Sequence, residues 1–399
     1  MPGSPASAGT ARPRAWWTFA VTVPLALFLL VTFVGPVAMM LVRGFTNPEL
    51  PALWPQTVAA MERWNGDGLP DDAAARAVAQ DIAATRRAGT LSRVANRLNY
   101  DMVGSRSLLY RTADQLDQGA AASGLADLGR IDPRWQERRT WAAIRHGSAP
   151  VTSFYLWAAL DRRMAADGTI QRVEPAQAVF VDVLLRTFKI SLVVALLCAL
   201  LGYPLAYLLA TQPERRANLL LILVLLPFWT SALVRTTAWV VLLQSEGVVN
   251  NMLQQVGAID APLALIYNRL GVYIAMTHVL LPFLVLPLYG VMRGISNVEM
   301  RAASSLGANP FTVFRRIYFP QTVPGLIAGM IIVFTLSLGY YITPALVGGG
   351  ADQMISGSIA FYTNQSLNWG MAAALSLLLM LPLALMLYAG RYLTRAVPA

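Results

Sequence analysis

A helix that crosses the hydrocarbon of a bilayer needs about 20 consecutive apolar residues, and six runs of this sequence meet that length. They cover 16–42, 190–210, 219–243, 272–291, 323–347 and 370–389, and none contains an aspartate or a glutamate. Only 13% of the 399 residues are charged, about half the share of an ordinary soluble domain. The first run is too long for the apolar core of a secretory leader, and no A-x-A-like site follows it. It is expected to stay as the first span. The expected fold class is therefore an all-α membrane protein with six transmembrane helices.

Charge sets the expected orientation. Cytoplasmic loops of membrane proteins are rich in Lys and Arg. If the N-terminus is cytoplasmic, the inner segments hold Arg12, Arg14, Arg215, Arg216, Arg293, Arg301, Arg315, Arg316, Arg391 and Arg395, against Glu214 and Glu299. The short outer loops hold Arg269 against Glu246, Asp260 and Asp352. Both termini are thus expected inside, with 1–15 as a cytoplasmic tail. The net charge of +10 then sits mostly on that inner rim, which accounts for it without nucleic acid. The lone cysteine, Cys198, allows no disulfide within the chain. Two histidines and no Cys/His cluster leave no expected metal site.

Residues 43–182, between the first two spans, form a long insert with seventeen arginines and sixteen acids. Long loops translocate largely regardless of charge, so the insert is expected to be periplasmic. It reads as mainly helical: Pro70-Asp71-Asp72 suits a helix start. Val78 and Ile82, then Leu91, Val94 and Leu98, recur at the three- and four-residue spacing of one helical face. Either a small domain or a loosely packed extension fits this pattern.

The segment 293–320 is too polar to span and too ordered for a linker. Ser296 and Glu299 fit a capping box. Gly307 suits the left-handed position that ends a helix, and Asn309-Pro310 restarts one. Phe311, Phe314 and Tyr318 fall on one face of the second helix. Two short helices around a sharp glycine turn are expected, with Pro320 marking entry into the next span. By pattern alone they could equally lie on the bilayer surface.

This segment resembles the EAA loop of ABC importer permeases: E-A-A, three residues, G, nine residues, I, one residue, L-P. Here Arg301-Ala302-Ala303, Gly307, Ile317 and Phe319-Pro320 keep that spacing throughout. Arg301 stands where the family has Glu, and Phe319 where it has Leu; Glu299 lies two residues before Arg301, about 200° around a helix. The resemblance covers roughly 180–395, with 183–395 as the five-helix permease core, and the first span. Leu225 to Ser231, Leu233 to Thr236, Asn250 to Asn268 and His278 to Tyr289 look particularly like spermidine/putrescine permeases. It implies a type I ABC permease fold and a polyamine cargo, or failing that an amino-acid derivative, phosphonate or metal chelate. It also implies an inner-membrane location, a cytoplasmic ABC ATPase dimer, a second permease subunit and a periplasmic binding protein. In such permeases the loop docks on the ATPase. Glu299, Arg301, Ala302, Ala303, Gly307, Phe311, Phe314, Ile317 and Pro320 are the expected coupling residues, and exposed aromatics supply anchors for that interface.

The chain itself is expected to hydrolyse no ATP. A P-loop requires a lysine within G-x-x-x-x-G-K-[ST], and the only lysine is Lys189, at the outer end of a span. No cofactor is expected here, ATP and magnesium being bound by the ATPase chain. Substrate-path candidates are the polar and aromatic residues within spans: Tyr203, Tyr207, Trp229, Arg235, Trp239, Tyr340 and Tyr341. Aromatic faces can hold a cation; Tyr340 and Tyr341 are placed mid-span. A sensor subunit would leave the two-helix loop without a purpose, and a secondary transporter would require acids within the spans.

Overall fold

The computed structural model describes residues 22–165 and 168–396, with backbone alone from 389 onward. The tail at 1–15 and the start of the first run, 16–21, lie outside the described residues. The chain divides into two units. One holds the residues up to Leu156 with Met164–Thr169; the other holds Trp157–Arg163 and the residues from Ile170 onward.

The first unit begins with α1, Thr22–Phe45, 24 residues long and with none of its apolar window buried. Its ladder widens to a π turn at Leu30–Val34, where the Gly35 N–H reaches the Leu30 carbonyl. The cause is Pro36. A proline lacks an N–H and its ring meets the carbonyl four residues back, and an i→i+5 turn moves that carbonyl aside.

The insert then folds as a helical domain of α2 (Glu49–Leu53), α3 (Pro55–Arg63), α4 (Asp72–Arg87), α5 (Leu91–Asp101), α6 (Ser105–Asp117), α7 (Leu125–Ile131) and α8 (Arg138–Ser148). Asp71 caps α4 by accepting from the Ala74 N–H at 2.9 Å. Val78, Ile82, Leu91, Val94 and Leu98 all face one core. Trp54, Trp135 and Trp141 are fully buried there. Each indole N–H has a partner: Thr85 Oγ1, Thr112 Oγ1 and the Trp135 carbonyl respectively. Buried indoles whose N–H groups are all satisfied mark a packed core rather than a loose one.

Two polar knots tighten this domain. Arg97, 2% exposed, donates from Nε to Asn47 Oδ1 at 2.7 Å and lies over the Phe154 and Tyr155 rings at 4.8 and 5.3 Å. Asn47 Nδ2 in turn donates to the His146 and Ala149 carbonyls, tying the residues after α1 to the end of α8. Asp132 accepts from the Arg134 Nε and Nη2 at 2.9 and 2.8 Å and from Arg111 at 3.2 Å. The Arg134 hydrogen bonds hold its carboxyl below the usual carboxylate range. A depressed folded-state value stabilises the domain above the ordinary carboxylate pKa and stops doing so as the pH falls through the folded one. Asp132→Asn should therefore destabilise the domain by about 1.5–3 kcal/mol at pH 7. The gap from wild type should close at acid pH, as read by tryptophan fluorescence during thermal unfolding.

A short helix, α9 (Phe154–Ala159), and a two-stranded hairpin, β1 (Arg162–Met164) and β2 (Ile170–Arg172), the helix and β1 each shared between the two units, precede the helices of the second unit. They are α10 (Phe180–Thr211), α11 (Glu214–Trp229), α12 (Ala232–Leu243), α13 (Val248–Gln255), α14 (Arg269–Gly294), α15 (Asn297–Ser305), α16 (Pro310–Gly339), α17 (Ile342–Val347), α18 (Ile355–Asn364) and α19 (Trp369–Ala396). Helices α10, α14 and α16 pack on one another as the heart of the unit. Val272, Met276, Leu280, Leu284 and Leu288, one every four residues, form the central stripe of α14. Small residues let the backbones approach: a Cβ on Gly202 would stand 2.6 Å from Leu284, and one on Gly329 would stand 3.0 Å from the Leu284 carbonyl.

Among the described residues five helices are long and apolar enough to cross a membrane, and a sixth candidate is the pair on either side of a 95° bend between Trp229 and Ala232. Two of the expected runs are thus not single helices. The run at 219–243 breaks because Pro227 opens a 3-10 turn, Thr230 is extended and Ser231 caps a new helix through the Val234 N–H. The run at 323–347 begins earlier, at Pro310, and stops at Gly339; Tyr340 is extended and α17 starts afresh. Tyr340 and Tyr341 therefore lie at a helix break rather than mid-span.

Candidate functional site

The segment from Arg293 to Gln321 is built from one short helix, a turn and the first turns of a long helix. At its entry, Arg293 Nη1 donates to the Ala210 and Gln212 carbonyls at 3.2 and 3.1 Å, binding the end of α14 to the end of α10. Ser296 caps α15 through the Val298 N–H at 3.2 Å. The expected capping box is half made. The Glu299 carboxylate accepts from Gln321 Nε2 at 2.8 Å, so it links α15 to α16 across the turn.

Gly307 has φ +87°. Its N–H donates to the Ser304 carbonyl and the Ala308 N–H to the Ala303 carbonyl, at 3.0 and 3.1 Å. This bond pair is the Schellman closure, which needs a left-handed residue at its centre. Asn309 then caps α16 through the Thr312 N–H at 2.8 Å. The second helix is not short, as expected from the sequence. It runs on without a stop to Gly339, with a π turn at Phe314–Tyr318. Pro320 does here what Pro36 does in α1, displacing the ladder instead of ending it.

That turn divides the aromatic stripe. Phe311, in the first turn of α16, is 70% exposed, whereas Tyr318 is buried. Phe314 stacks on Tyr318 at 5.8 Å and meets Tyr203 and Tyr207 edge-on at 6.3 and 6.0 Å. Tyr207 also meets Tyr318 at 5.4 Å, and the Tyr203 hydroxyl pairs with Thr322 Oγ1 at 3.1 Å. Tyr203 and Tyr207, taken from the sequence as path candidates, therefore lie against the loop's aromatics. Sequence reasoning missed this role because the contacts join residues more than a hundred positions apart. These ring contacts join the first turns of α16 to α10. The tip itself exposes Val298, Leu306 and Phe311. Arg301, Ala302 and Pro320 are exposed too, while Ala303 and Ile317 are half-buried. Arg301 has no ion pair among the described residues.

The other candidates gather at the two helix breaks. Trp229, at the end of α11, is almost wholly exposed, and Tyr341 is 44% exposed. Trp239 donates from Nε1 to His278 Nδ1 at 3.1 Å, joining α12 to α14. One helical turn away, Thr236 Oγ1 lies 2.9 Å from Thr343 Oγ1 in the interior. Arg235 stands beside Thr236, within electrostatic reach of His278 and Tyr340. The Tyr340 carbonyl accepts from Ser356 Oγ at 2.7 Å, which holds the break to α18.

Residues 202–397 match the family described as binding-protein-dependent transport system inner membrane component. The chain is 35% identical over 208 residues to the spermidine/putrescine transport system permease protein PotB of Escherichia coli K12, over 52% of this chain and 76% of that protein. The PotB of Haemophilus influenzae is 34% identical over 209 residues, 52% of this chain and 73% of that one. Among solved structures, a bacterial alginate ABC transporter in complex with an alginate pentasaccharide-bound periplasmic protein is similar. It is 19% identical over 54% of this chain and 78% of that chain, with a TM-score of 0.46.

Proposed function

The chain belongs to the binding-protein-dependent transport system inner membrane components, and on that premise we propose that it is the permease through which an ATP-driven importer takes up a polyamine of the spermidine/putrescine class. It is a multi-pass inner-membrane transport subunit and not an enzyme, since ATP hydrolysis in this family belongs to a separate chain.

The observation that carries the mechanism is the capped turn at Gly307 with Val298, Leu306 and Phe311 bare at its tip. Three exposed apolar side chains on a rigid, polar-based turn call for a protein cover, and the cover is the cytoplasmic ATPase dimer. When the ATPase closes, the tip moves. Glu299–Gln321 and the Phe314–Tyr318–Tyr207 stack pass that motion to α16 and α10. Arg293 passes it to the junction of α14 and α10. Those three helices are the packed heart of the unit, so they move as a body. The breaks at Thr230 and Tyr340 interrupt the ladders that lead into α12 and α17, so these two, tied to each other by Thr236 and Thr343, can pivot about the Trp239–His278 contact. ATP and magnesium are held by the ATPase; this chain holds no cofactor.

A second permease subunit completes the pore and a periplasmic binding protein delivers the cargo. Both termini face the cytoplasm, which places the insert in the periplasm. The resemblance of 225–236, 250–268 and 278–289 to spermidine/putrescine permeases, together with the kind of relatives found, supports the cargo class. Trp239, Tyr340 and Tyr341 supply aromatic surface near the breaks for an ammonium group. The test is uptake of labelled spermidine and putrescine by cells with and without this chain, in a background free of other polyamine importers. Loss of ATP-dependent uptake on deletion is expected; unchanged uptake would move the cargo to another small solute.

A further inference from the structure

The helical insert holds a cleft of about 450 Å³, bounded by the turn after α3, by α8 and by residues 149–154. A cleft of that size suits a small molecule, and transport through the spans makes no use of it. Its chemistry is set by two arginines. Arg138 and Arg145 are seven residues apart on α8, two turns, and so share a face of that helix. Both are pinned to consecutive carbonyls of the turn. Arg138 donates from Nε to the Gly66 carbonyl at 2.9 Å, and Arg145 from Nη1 to the Asn65 carbonyl at 2.8 Å. The Arg145 guanidinium also lies over the Trp64 ring, 5.9 Å from its centroid. Gly66 permits this approach. Its φ is +96°, and a Cβ there would collide with Arg145 Nη1. A long exposed arginine ordinarily keeps its rotamer freedom; these two are already held, which lowers the ordering cost of binding.

Both keep donors in hand. Among the described residues, Arg138 Nη1 and Arg145 Nε and Nη2 have no hydrogen-bond partner. Two guanidiniums drawn to neighbouring carbonyls repel each other, and neither can shed its charge. An anion between them relieves that repulsion. The acid at hand does not do so. Asp67, 84% exposed, stands 3.9 Å from Arg138 Nη2 and accepts from Asn65 Nδ2 at 3.1 Å. His146, also in the lining, has its Nδ1 on Asp101 at 3.2 Å. Two guanidiniums against the Asp67 carboxylate leave one positive charge in the lining. The apolar groups there say what the anion carries. Val151 is 71% exposed, and Phe154 and Met164 line the same cleft, so an apolar body has a surface to cover.

We propose that this cleft binds a small organic monocarboxylate with an apolar body. The carboxylate sits between Arg138 and Arg145, whose planar forks match its two oxygens. The body covers Val151, Phe154 and Met164. The ligand is distinct from the proposed cargo, a cation that the two arginines repel. A bound acid ties the turn at 64–67 to α8 and to the residues after it, and so stabilises the insert by mass action.

The probe is para-fluorobenzoate, followed by fluorine NMR line broadening with the full-length protein in nanodiscs of zwitterionic lipid. Empty nanodiscs correct for partition into lipid. Saturable binding with a dissociation constant below about 1 mM is expected. The neutral para-fluorobenzamide is expected to bind about tenfold more weakly or worse, and para-fluorobenzylamine not to compete. R138Q and R145Q should each weaken the benzoate about tenfold, whereas R93Q, outside the cleft, leaves it unchanged. The comparison of acid with amide is made on the wild-type protein, so it holds whether or not the variants fold. Equal binding of benzoate and benzamide would overturn the proposal, as would undiminished benzoate binding by the R138Q/R145Q double variant. So would acetate competing as well as the benzoate itself, or no saturable binding up to about 10 mM.

Discussion

Gly307→Pro is expected to reduce ATP-driven uptake to less than one-tenth of wild type at equal expression, with the insert still folded. The native φ of +87° lies far from the value near −65° that a proline ring allows, and proline also removes the N–H that Gly307 gives to Ser304. The Schellman closure then cannot form, the angle between α15 and α16 is lost, and the tip no longer stands where the ATPase meets it. Gly307→Ala separates the backbone requirement from space. Nothing lies within 4 Å of a Cβ at that position, so its penalty is the left-handed strain alone, about 1–2 kcal/mol. An intermediate rate is expected for it. Uptake into proteoliposomes measures both; a proline variant as active as wild type would remove the lever from the account.

Arg97→Ala should destabilise the insert by roughly 1.5–3 kcal/mol, the range for losing a hydrogen bond to a charged group; no charge is stranded, and the buried Nη1 and Nη2, which have no partner, go with it. The loss has three parts. The Nε donor to Asn47 disappears, the stack on Phe154 and Tyr155 empties, and Asn47 Oδ1 is left buried without a donor. A domain is held by only about 5–15 kcal/mol in all, so partial unfolding at growth temperature is expected. Burial pushes the Tyr155 hydroxyl up to about 12; that ring stays neutral and is no counter-ion for Arg97. Arg97→Met keeps the apolar stem against the two rings and strands only Asn47, so it should lose less than half as much. Hydrogen exchange over α5 and α8 in the full-length protein reads the difference.

The two outcomes depend on different kinds of sequence signal. The turn at Gly307 was legible because each of its parts is local: Ser296, Gly307 and Asn309 act on amides within three residues of themselves. Asp71 at the head of α4 was legible for the same reason. The π turns were not, because they depend on how a continuing helix absorbs Pro36 or Pro320 rather than on a cap. The sequence placed Phe311, Phe314 and Tyr318 on one face by counting 3.6 residues per turn, and the widened turn left only Phe311 bare. The breaks at Thr230 and Tyr340 were hidden within apolar runs, since hydropathy reports what a segment is made of and not whether its ladder is continuous. The contacts of Tyr203 and Tyr207 with Phe314 lie more than a hundred residues apart in the chain, and no periodicity carries that. Arg235 stood out as a charge in a span, yet that its Nε and Nη1 lie buried with no hydrogen-bond partner among the described residues became visible only once α14 and α17 were in place around it.

The seat of the ATPase on the exposed tip is tested most directly by photo-cross-linking from single positions of the loop in native membranes. A photoreactive side chain at position 311 is predicted to label the ATPase subunit in high yield, and one at position 314 to label this chain itself, within α10. Labelling of lipid alone from 311, or of the ATPase from 314 and not from 311, would contradict the account.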